Sequence, residues 1–157
     1  MTHQSSKTQP NLSDSLLQLE NTLDEYLGKK APQLPENAKE TLVQFGPWIS
    51  LIVIIITVPP ILSLFSLGAF LSPFAAIAGA TLDFNYWISL LFILAAVVFE
   101  LIALPKLFKR EKKGWQYMYY AALITAVGNL VDLHLSSLIL GTLLSLYILF
   151  QIKKYYK

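Results

Sequence analysis

The chain has 157 residues, of which 55% are hydrophobic and only 14% are charged, and its formal net charge is +2. Soluble domains carry roughly a quarter charged residues, whereas no Asp, Glu, Lys or Arg lies between Glu40 and Asp83. A soluble domain of this length has too little interior for so long an uncharged stretch, so composition excludes an ordinary soluble fold and indicates a membrane protein. The absence of cysteine excludes disulfides and thiolate chemistry.

The N-terminal part of the chain is polar and then amphipathic. Residues 1–11 predict a disordered tail, and residues 12–46 predict a helical segment in the cytoplasm or at the membrane interface. Within it, residues 12–27 carry apolar side chains at helical spacing, which predicts a helix with one apolar stripe. The stripe consists of Leu12, Leu16, Leu19, Leu23 and Tyr26. It is expected to rest on the membrane surface or the protein's own bundle, or to form a seam with a partner.

The first strongly apolar segment begins at Trp48 and contains Pro59 and Pro60. These prolines predict a kink or break, because each removes a backbone donor or crowds the preceding turn. Two interpretations follow from its length. Either one kinked helix crosses the bilayer at about 48–68 and residues 71–82 form a loop or a partly embedded segment, or two short crossings take its place.

Three further apolar segments, residues 84–104, 115–131 and 133–151, are close to the roughly 20 residues that a helical crossing needs. Pro105 is expected to end the first of them. Aromatic residues such as Trp87 near the segment ends are typical of membrane interfaces. The predicted fold is an all-α membrane protein, a four-transmembrane-helix bundle with a short N-terminal cytoplasmic or interfacial helix.

The distribution of charge predicts orientation. Basic residues cluster in the 105–114 loop, in the C-terminal tail and in the N-terminal segment, whereas the other connections carry Asp83 and Asp132 without Lys or Arg. The positive-inside rule then predicts that both termini are cytoplasmic. This arrangement requires a single crossing between Trp48 and Asp83, which favours four spans within residues 47–157.

Glu100 is the one charged residue of the predicted 84–104 span, where a charge at the bilayer centre costs ~3 kcal/mol. It is expected to face the bundle interior near the inner end of that span. Hydroxyl groups of Tyr119 or Tyr120 and of Tyr147 are expected at a similar depth and can donate to a carboxylate. The alternatives are pairing with a lysine of the following loop, or handling of protons or cations.

A second polar group, Asn129, Asp132 and His134, falls at the predicted outer hairpin. The pattern predicts a solvated turn in which Asn129 bonds backbone carbonyls. Two acid or imidazole side chains without a third ligand are a weak metal signal, so no metal site is predicted.

Small residues predict a packing face in the last span. Ser137, Gly141 and Ser145 recur every four residues, a spacing that lets another helix approach closely. The expected contact is internal, against the preceding span, which offers Ala121, Thr125 and Gly128. On this interpretation Gly141→Leu would disrupt folding or assembly.

Motifs for catalysis are missing from the sequence. There is no G-x-S-x-G elbow, no evident Ser/His/Asp arrangement and no glycine-rich phosphate loop, so we expect neither an enzyme nor a bound cofactor. The basic 105–113 loop is explained by orientation rather than by nucleic-acid binding. It can also attract anionic lipid head groups, by about 1 kcal/mol per charge.

Two stretches carry a resemblance. They are Ala31-Pro-Gln-Leu-Pro-Glu-Asn-Ala-Lys-Glu leading into Gly46-Pro47-Trp48, and the ending Leu146-Tyr-Ile-Leu-Phe-Gln-Ile-Lys-Lys-Tyr-Tyr. With these junctions and its hydropathy, the chain resembles a family of small bacterial four-helix, multi-span membrane proteins of unknown function. The resemblance implies a bacterial cytoplasmic (inner) membrane and brings no activity or site residue.

Two functions stay open at this point. The first is a non-enzymatic scaffold, accessory or lipid-binding membrane protein, with membrane lipids, a membrane-protein partner or further copies of itself as its partners and residues 12–27 as a cytoplasmic contact. The second is a small oligomeric transporter or channel that uses Glu100 and the Pro59-Pro60 break, since broken helices often line cavities. They differ in whether Glu100 and the two prolines face a shared hydrated cavity.

Overall fold

The computed structural model describes residues 11–78 and 84–157, and this part of the chain is helical and contains no strand. Its α-helices are α1 (Leu12–Leu23), α2 (Glu36–Ile77), α3 (Phe84–Phe108), α4 (Lys112–Val131) and α5 (Leu143–Ile152). A π-helical segment, Asp24–Lys30, follows α1, and a second, Ser137–Thr142, precedes α5. The predicted all-α fold is confirmed, whereas nearly all of the predicted disordered tail lies outside the described residues.

Three of the helices are long and apolar enough to cross a membrane. They are Glu36–Ile77, Asn85–Phe108 and Ser137–Tyr155. Their outer faces are apolar as well as exposed: Ile55 and Ile56 on α2 have 61% and 66% of their surface accessible. Such a surface is unfavourable in water and is solvated in hydrocarbon. The fourth predicted span, residues 115–131, corresponds to α4, which is less apolar than these three.

Helix α2 is longer than the predicted first span. It is one α-helix that runs from Glu36 through the predicted segment boundary at 46/47 to Ile77, with Pro59 and Pro60 inside it. The expectation that these prolines break the helix is therefore wrong, and so is the expected end near residue 68. Residues 79–83, the rest of the predicted loop, lie outside the described residues.

The prolines are tolerated because their fixed φ is close to the helical value, so each removes a hydrogen bond without reversing the chain. Two hydroxyls in the flanking turns add bonds to other carbonyls of the same helix: Ser63 Oγ donates to the carbonyl oxygen of Pro59 at 2.9 Å, and Thr57 Oγ1 donates to that of Val53 at 2.6 Å. The same reasoning corrects the end of α3, which passes Pro105 and continues to Phe108.

Helices α3 and α4 form a close antiparallel hairpin. A Cβ atom on Gly114 would lie 2.7 Å from the backbone nitrogen of Leu107, and one on Gly128 would lie 3.1 Å from Cβ of Phe92. These two contacts fix the register, because Gly114 lies in the first turn of α4 beside the end of α3, and Gly128 lies in the last turn of α4 beside Phe92 in the first half of α3. Small residues at both points let the two backbones approach.

The hairpin turn is a Schellman motif. The N–H of Arg110 donates to the carbonyl of Leu107, and the N–H of Glu111 donates to that of Lys106, at 3.0 and 2.9 Å. Arg110 occupies the left-handed position with φ of 55°, where glycine is usual. The motif satisfies two carbonyls at the end of α3, which allows α4 to start almost at once.

The core lies at the basic end of the bundle, where α4 meets α5. Trp115 and Tyr119 are its largest buried side chains. Their rings stack 5.6 Å apart, and Phe150 packs edge-on against both. The indole N–H of Trp115 donates to the carbonyl of Leu149 at 2.7 Å, so even the polar atom of this buried ring has a partner.

The N-terminal segment is attached to this core by one buried amide. Gln151 is 3% exposed. Its Nε2 donates to the carbonyl of Leu27 at 2.8 Å, and its Oε1 accepts the N–H of Leu34 at 3.3 Å. Glu20 adds an ion pair with Lys153 at 2.9 Å. Glu20 on α1 thus faces the bundle.

The apolar stripe of α1 is only partly covered. Leu23 packs against the core cluster. Leu12, Leu19 and Tyr26 have 78%, 41% and 57% of their surface accessible. The bundle therefore contacts one edge of the predicted stripe, and most of the stripe is uncovered in the single chain.

Gly114→Ala is expected to destabilise the protein by about 1–3 kcal/mol, because the new methyl group meets backbone atoms that cannot move aside cheaply. Thermal unfolding in detergent would measure the loss. Gly46→Ala is the matched control, since a Cβ at Gly46 has nothing within 4 Å. Equal midpoints for the two variants would contradict the close α3–α4 contact.

Gln151→Leu is expected to detach the N-terminal segment while the rest of the bundle stays folded. The substitution leaves the Leu27 carbonyl and the Leu34 N–H without partners, and each loss costs about 1–3 kcal/mol of stability. Hydrogen exchange of residues 24–34 should accelerate, while α3 and α4 stay protected. Gln44→Leu, at an exposed position of α2, serves as the control. Unchanged exchange in residues 24–34 would disprove the role of Gln151.

Candidate functional site

An open groove of about 710 Å³ lies between α3, α4 and the last helical segment. Its polar lining residues come from all three elements. They are Glu100, Thr125, Asn129, Ser136, Ser137, Thr142 and Ser145, and Gly141 lies among them. We call this surface the polar groove. It brings Glu100, Asn129 and the small-residue stripe, which are far apart in sequence, into one site.

Glu100 is half-buried and lines the polar groove from α3. The α3–α4 register places it about level with Ala121, in the middle of α4. A carboxyl group at this depth has little access to water if the helices cross a bilayer, so a donor supplied by a ligand or partner would be strongly favoured there.

The tyrosine hydroxyls that were predicted to donate a hydrogen bond to the Glu100 carboxylate do not do so. The hydroxyl of Tyr147 donates to the carbonyl of Pro32 in the N-terminal segment, 2.5 Å away. The hydroxyl of Tyr119 is buried in the core and has no hydrogen-bond partner in the described part of the chain. The expectation fails because equal depth does not fix direction: Tyr119 turns towards Trp115, and Tyr147 turns towards the N-terminal segment.

The small-residue stripe is not packed inside the bundle. Ser137, Gly141 and Ser145 are exposed, and a Cβ at Gly141 would meet nothing within 4 Å. The expected internal packing face is wrong because the buried face lies one residue later, at Thr142 and Leu146. One residue turns a helix by about 100°, which directs the stripe into the polar groove instead of onto α4.

Thr142 is a groove residue that sequence reasoning missed. It is 6% exposed, and its Oγ1 has no hydrogen-bond partner among the described residues. It ends the π-helical segment Ser137–Thr142. Such segments are rare and frequently occur at functional sites, and buried hydroxyls normally have partners. The only signal in the sequence was a lone threonine beside Gly141.

The predicted outer-hairpin cluster separates in the structure. Asn129 lines the polar groove. Asp132 accepts a hydrogen bond from the hydroxyl of Ser89 on α3, and His134 is exposed. Within residues 11–78 and 84–157, no group of three or more metal-binding side chains is close enough to hold an ion.

The two prolines of α2 lie away from the polar groove. Pro59 and Pro60 are exposed on α2, and none of the described residues that line the groove belongs to that helix. Glu100 and the prolines therefore do not share this cavity. The chemistry available in the groove is that of one carboxyl, one amide and several hydroxyls, which can hold a polar or cationic group by hydrogen bonds.

Comparison with known proteins gives no relative. No protein-family model matches the chain. No curated protein and no solved structure matches it either. The resemblance seen in the sequence stays a prediction, and the arguments for function come from the polar groove and from the distribution of charge.

Gly141→Leu is expected to fold normally, with a thermal midpoint equal to or slightly above that of the wild type, because the new side chain enters open space and leucine favours a helix over glycine. Gly128→Leu, aimed at Phe92, should lose about 1–3 kcal/mol or fail to fold. Size-exclusion chromatography with thermal unfolding compares them. If Gly141→Leu aggregated and Gly128→Leu did not, Gly141 would have to pack inside the bundle as first predicted.

Proposed function

We propose that this chain is a non-enzymatic protein of a bacterial cytoplasmic membrane, an accessory, scaffold or lipid-binding subunit that crosses the bilayer four times with both termini inside. The observation that supports this function best is the polar groove, an open concavity lined by Glu100, by a stripe of small residues and by Thr142, whose hydroxyl has no hydrogen-bond partner among residues 11–78 and 84–157. Such a surface is complementary to a helix or lipid that brings its own polar group.

The α3–α4 register supports the fourth crossing. α4 has 20 residues, about 30 Å at 1.5 Å per residue, and the hydrocarbon core is about 30 Å thick. Because Gly114 meets Leu107 at the end of α3 and Gly128 meets Phe92 in its first half, α4 lies alongside most of a helix that is apolar enough to cross. Its lower hydropathy is compatible with its place between α3 and α5, which shield much of it from lipid.

The orientation is supported by the way the basic segments meet. Lys154 pairs with Glu36 at 2.9 Å, and the N–H of Lys112 donates to the carbonyl of Lys157 at 2.8 Å. These contacts join the N-terminal segment, the α3–α4 loop and the C-terminal tail at one end of the helices. The positive-inside rule assigns that end to the cytoplasm.

A transporter or channel is the less supported alternative. That hypothesis requires Glu100 and the Pro59-Pro60 pair to lie on one path, and the described lining of the polar groove contains neither proline. A path built by several copies would have to use the exposed prolines from a neighbouring chain. We therefore favour binding in the groove over conduction through it.

Native mass spectrometry after gentle release from the membrane tests the proposal. Wild-type protein should retain a stoichiometric partner protein or lipid, and Gly141→Leu should lose it because the leucine fills the groove. Gly46→Leu, a matched change outside the groove, should retain it. Glu100→Gln should weaken retention at least several-fold if the carboxyl contributes a hydrogen bond.

A bare wild-type monomer, or equal retention by all variants, would contradict binding in the groove. A bare homo-oligomer would move the transporter hypothesis ahead. In that case the effect of Glu100→Gln on flux into liposomes becomes the next measurement.

A further inference from the structure

A second cavity, of about 660 Å³, lies at the basic end of the bundle and is separate from the polar groove. The π-helical Asp24–Lys30 segment, the start of α2, the first residue of α4 and the C-terminal tail surround it. Six lysines line it: Lys29, Lys39, Lys112, Lys153, Lys154 and Lys157. We call it the lysine cavity.

Carboxylates balance only part of this charge. Asp24 is the acidic residue among its described lining residues, and Glu20 and Glu36 reach lining lysines from outside. These three acidic side chains form ion pairs with Lys29, Lys39, Lys153 and Lys154. In the described part of the chain, the side chains of Lys112 and Lys157 form no ion pair, so six lysine side chains face three acidic side chains.

The two lysines without ion pairs are held on one rim by the backbone. The N–H of Lys112 donates to the carbonyl of Lys157 at 2.8 Å, and the N–H of Lys157 donates to that of Arg110 at 3.1 Å. This pairing fixes the C-terminal tail against the α3–α4 turn. The two side chains therefore start from neighbouring points of the backbone that hydrogen bonds join.

The opposite wall is fixed by a buried cation. Lys39 is 4% exposed, and its Nζ lies 3.1 Å from Oε1 of Gln33 and 3.4 Å from Oε1 of Glu36. Gln151, between the Leu27 carbonyl and the Leu34 N–H, forms part of the lining. A cavity with walls held this way is largely preformed, which lowers the ordering cost of binding.

The lysine cavity also sits where the helices end, since Lys112 begins α4 and Lys153 follows α5. Phe150 and Tyr156 supply buried apolar surface beside the ammonium groups. Lysine is a common phosphate binder, and basic pockets between membrane helices on the cytoplasmic side accept anionic head groups.

We propose that the lysine cavity binds a phosphate-bearing anion, either the head group of an anionic phospholipid or a soluble phosphate ester. This inference goes beyond binding in the polar groove and does not depend on it. The chemistry is the same for both sources, because several ammonium groups converge on one anionic group. Competition between an anionic phospholipid and a soluble phosphate ester distinguishes the sources.

The first measurement is a native mass spectrometry titration of the full chain in maltoside micelles with short-chain phosphatidylglycerol. The double variant Lys112→Gln/Lys157→Gln should bind about thirtyfold more weakly than the wild type, from two surface charges removed. Lys109→Gln/Lys113→Gln is the control, because it removes two exposed charges beside the α3–α4 turn but outside the cavity and should bind as the wild type does. Short-chain phosphatidylcholine should bind weakly to all three proteins.

Glycerol 1-phosphate provides the second arm. If it displaces phosphatidylglycerol from the wild type, the cavity recognises the phosphate ester itself; if only the lipid binds, the acyl chains contribute and the source is the membrane. Either result supports the proposal. Equal weakening by both double variants, or no preference for phosphatidylglycerol over phosphatidylcholine, would overturn it. Gly141→Leu should not change this binding, which keeps the outcome separate from that of the polar groove.

Discussion

The close antiparallel contact between α3 and α4 is the constraint on which the rest of the structure depends. Two glycines, Gly114 and Gly128, let the backbones approach at both ends of the hairpin. This contact sets α4 at the depth of α3, although α4 alone is too polar to qualify as a crossing helix. It also brings Glu100 to the side of α4 where the last helix leaves the polar groove open.

The same constraint brings the charges together. Because α3 and α4 are antiparallel and joined by a tight turn, the basic loop between them returns to the end where the chain enters and leaves the bundle. There Glu36 and Gln151 connect α2, the N-terminal segment and the C-terminal tail. Every lysine and arginine that the structure describes lies at this end. A bilayer would favour that separation, since it excludes charge from its core and solvates the apolar surface of the helices that are long and apolar enough to cross it.

Hydropathy was sufficient to predict the helices, because in a bilayer a long apolar run has few other structures available. It could not predict where α2 and α3 end. Pro59, Pro60 and Pro105 usually interrupt helices in soluble proteins, whereas here the helix continues with the loss of single hydrogen bonds.

The candidate site was predictable in part. Glu100 and Asn129 stood out as polar residues in apolar segments, and the structure places both in the polar groove. The direction of side chains was not predictable: the small-residue stripe was assigned to the bundle interior, and a rotation of one residue puts it in the open groove. The hydrogen-bond partners of Tyr147 and Gln151 could not be predicted either, because they lie in an N-terminal segment more than a hundred residues earlier.

Cysteine accessibility tests the central claim, four crossings with the basic segments inside, most directly. The chain has no cysteine of its own, so single substitutions report one position each. Ser13→Cys, Lys109→Cys, Lys157→Cys and His134→Cys all fall at exposed positions. A membrane-impermeant thiol reagent applied to intact cells should label only His134→Cys, and permeabilised cells should label all four. Protection of His134→Cys together with Lys109→Cys in intact cells would mean that α4 does not cross, and would contradict the account.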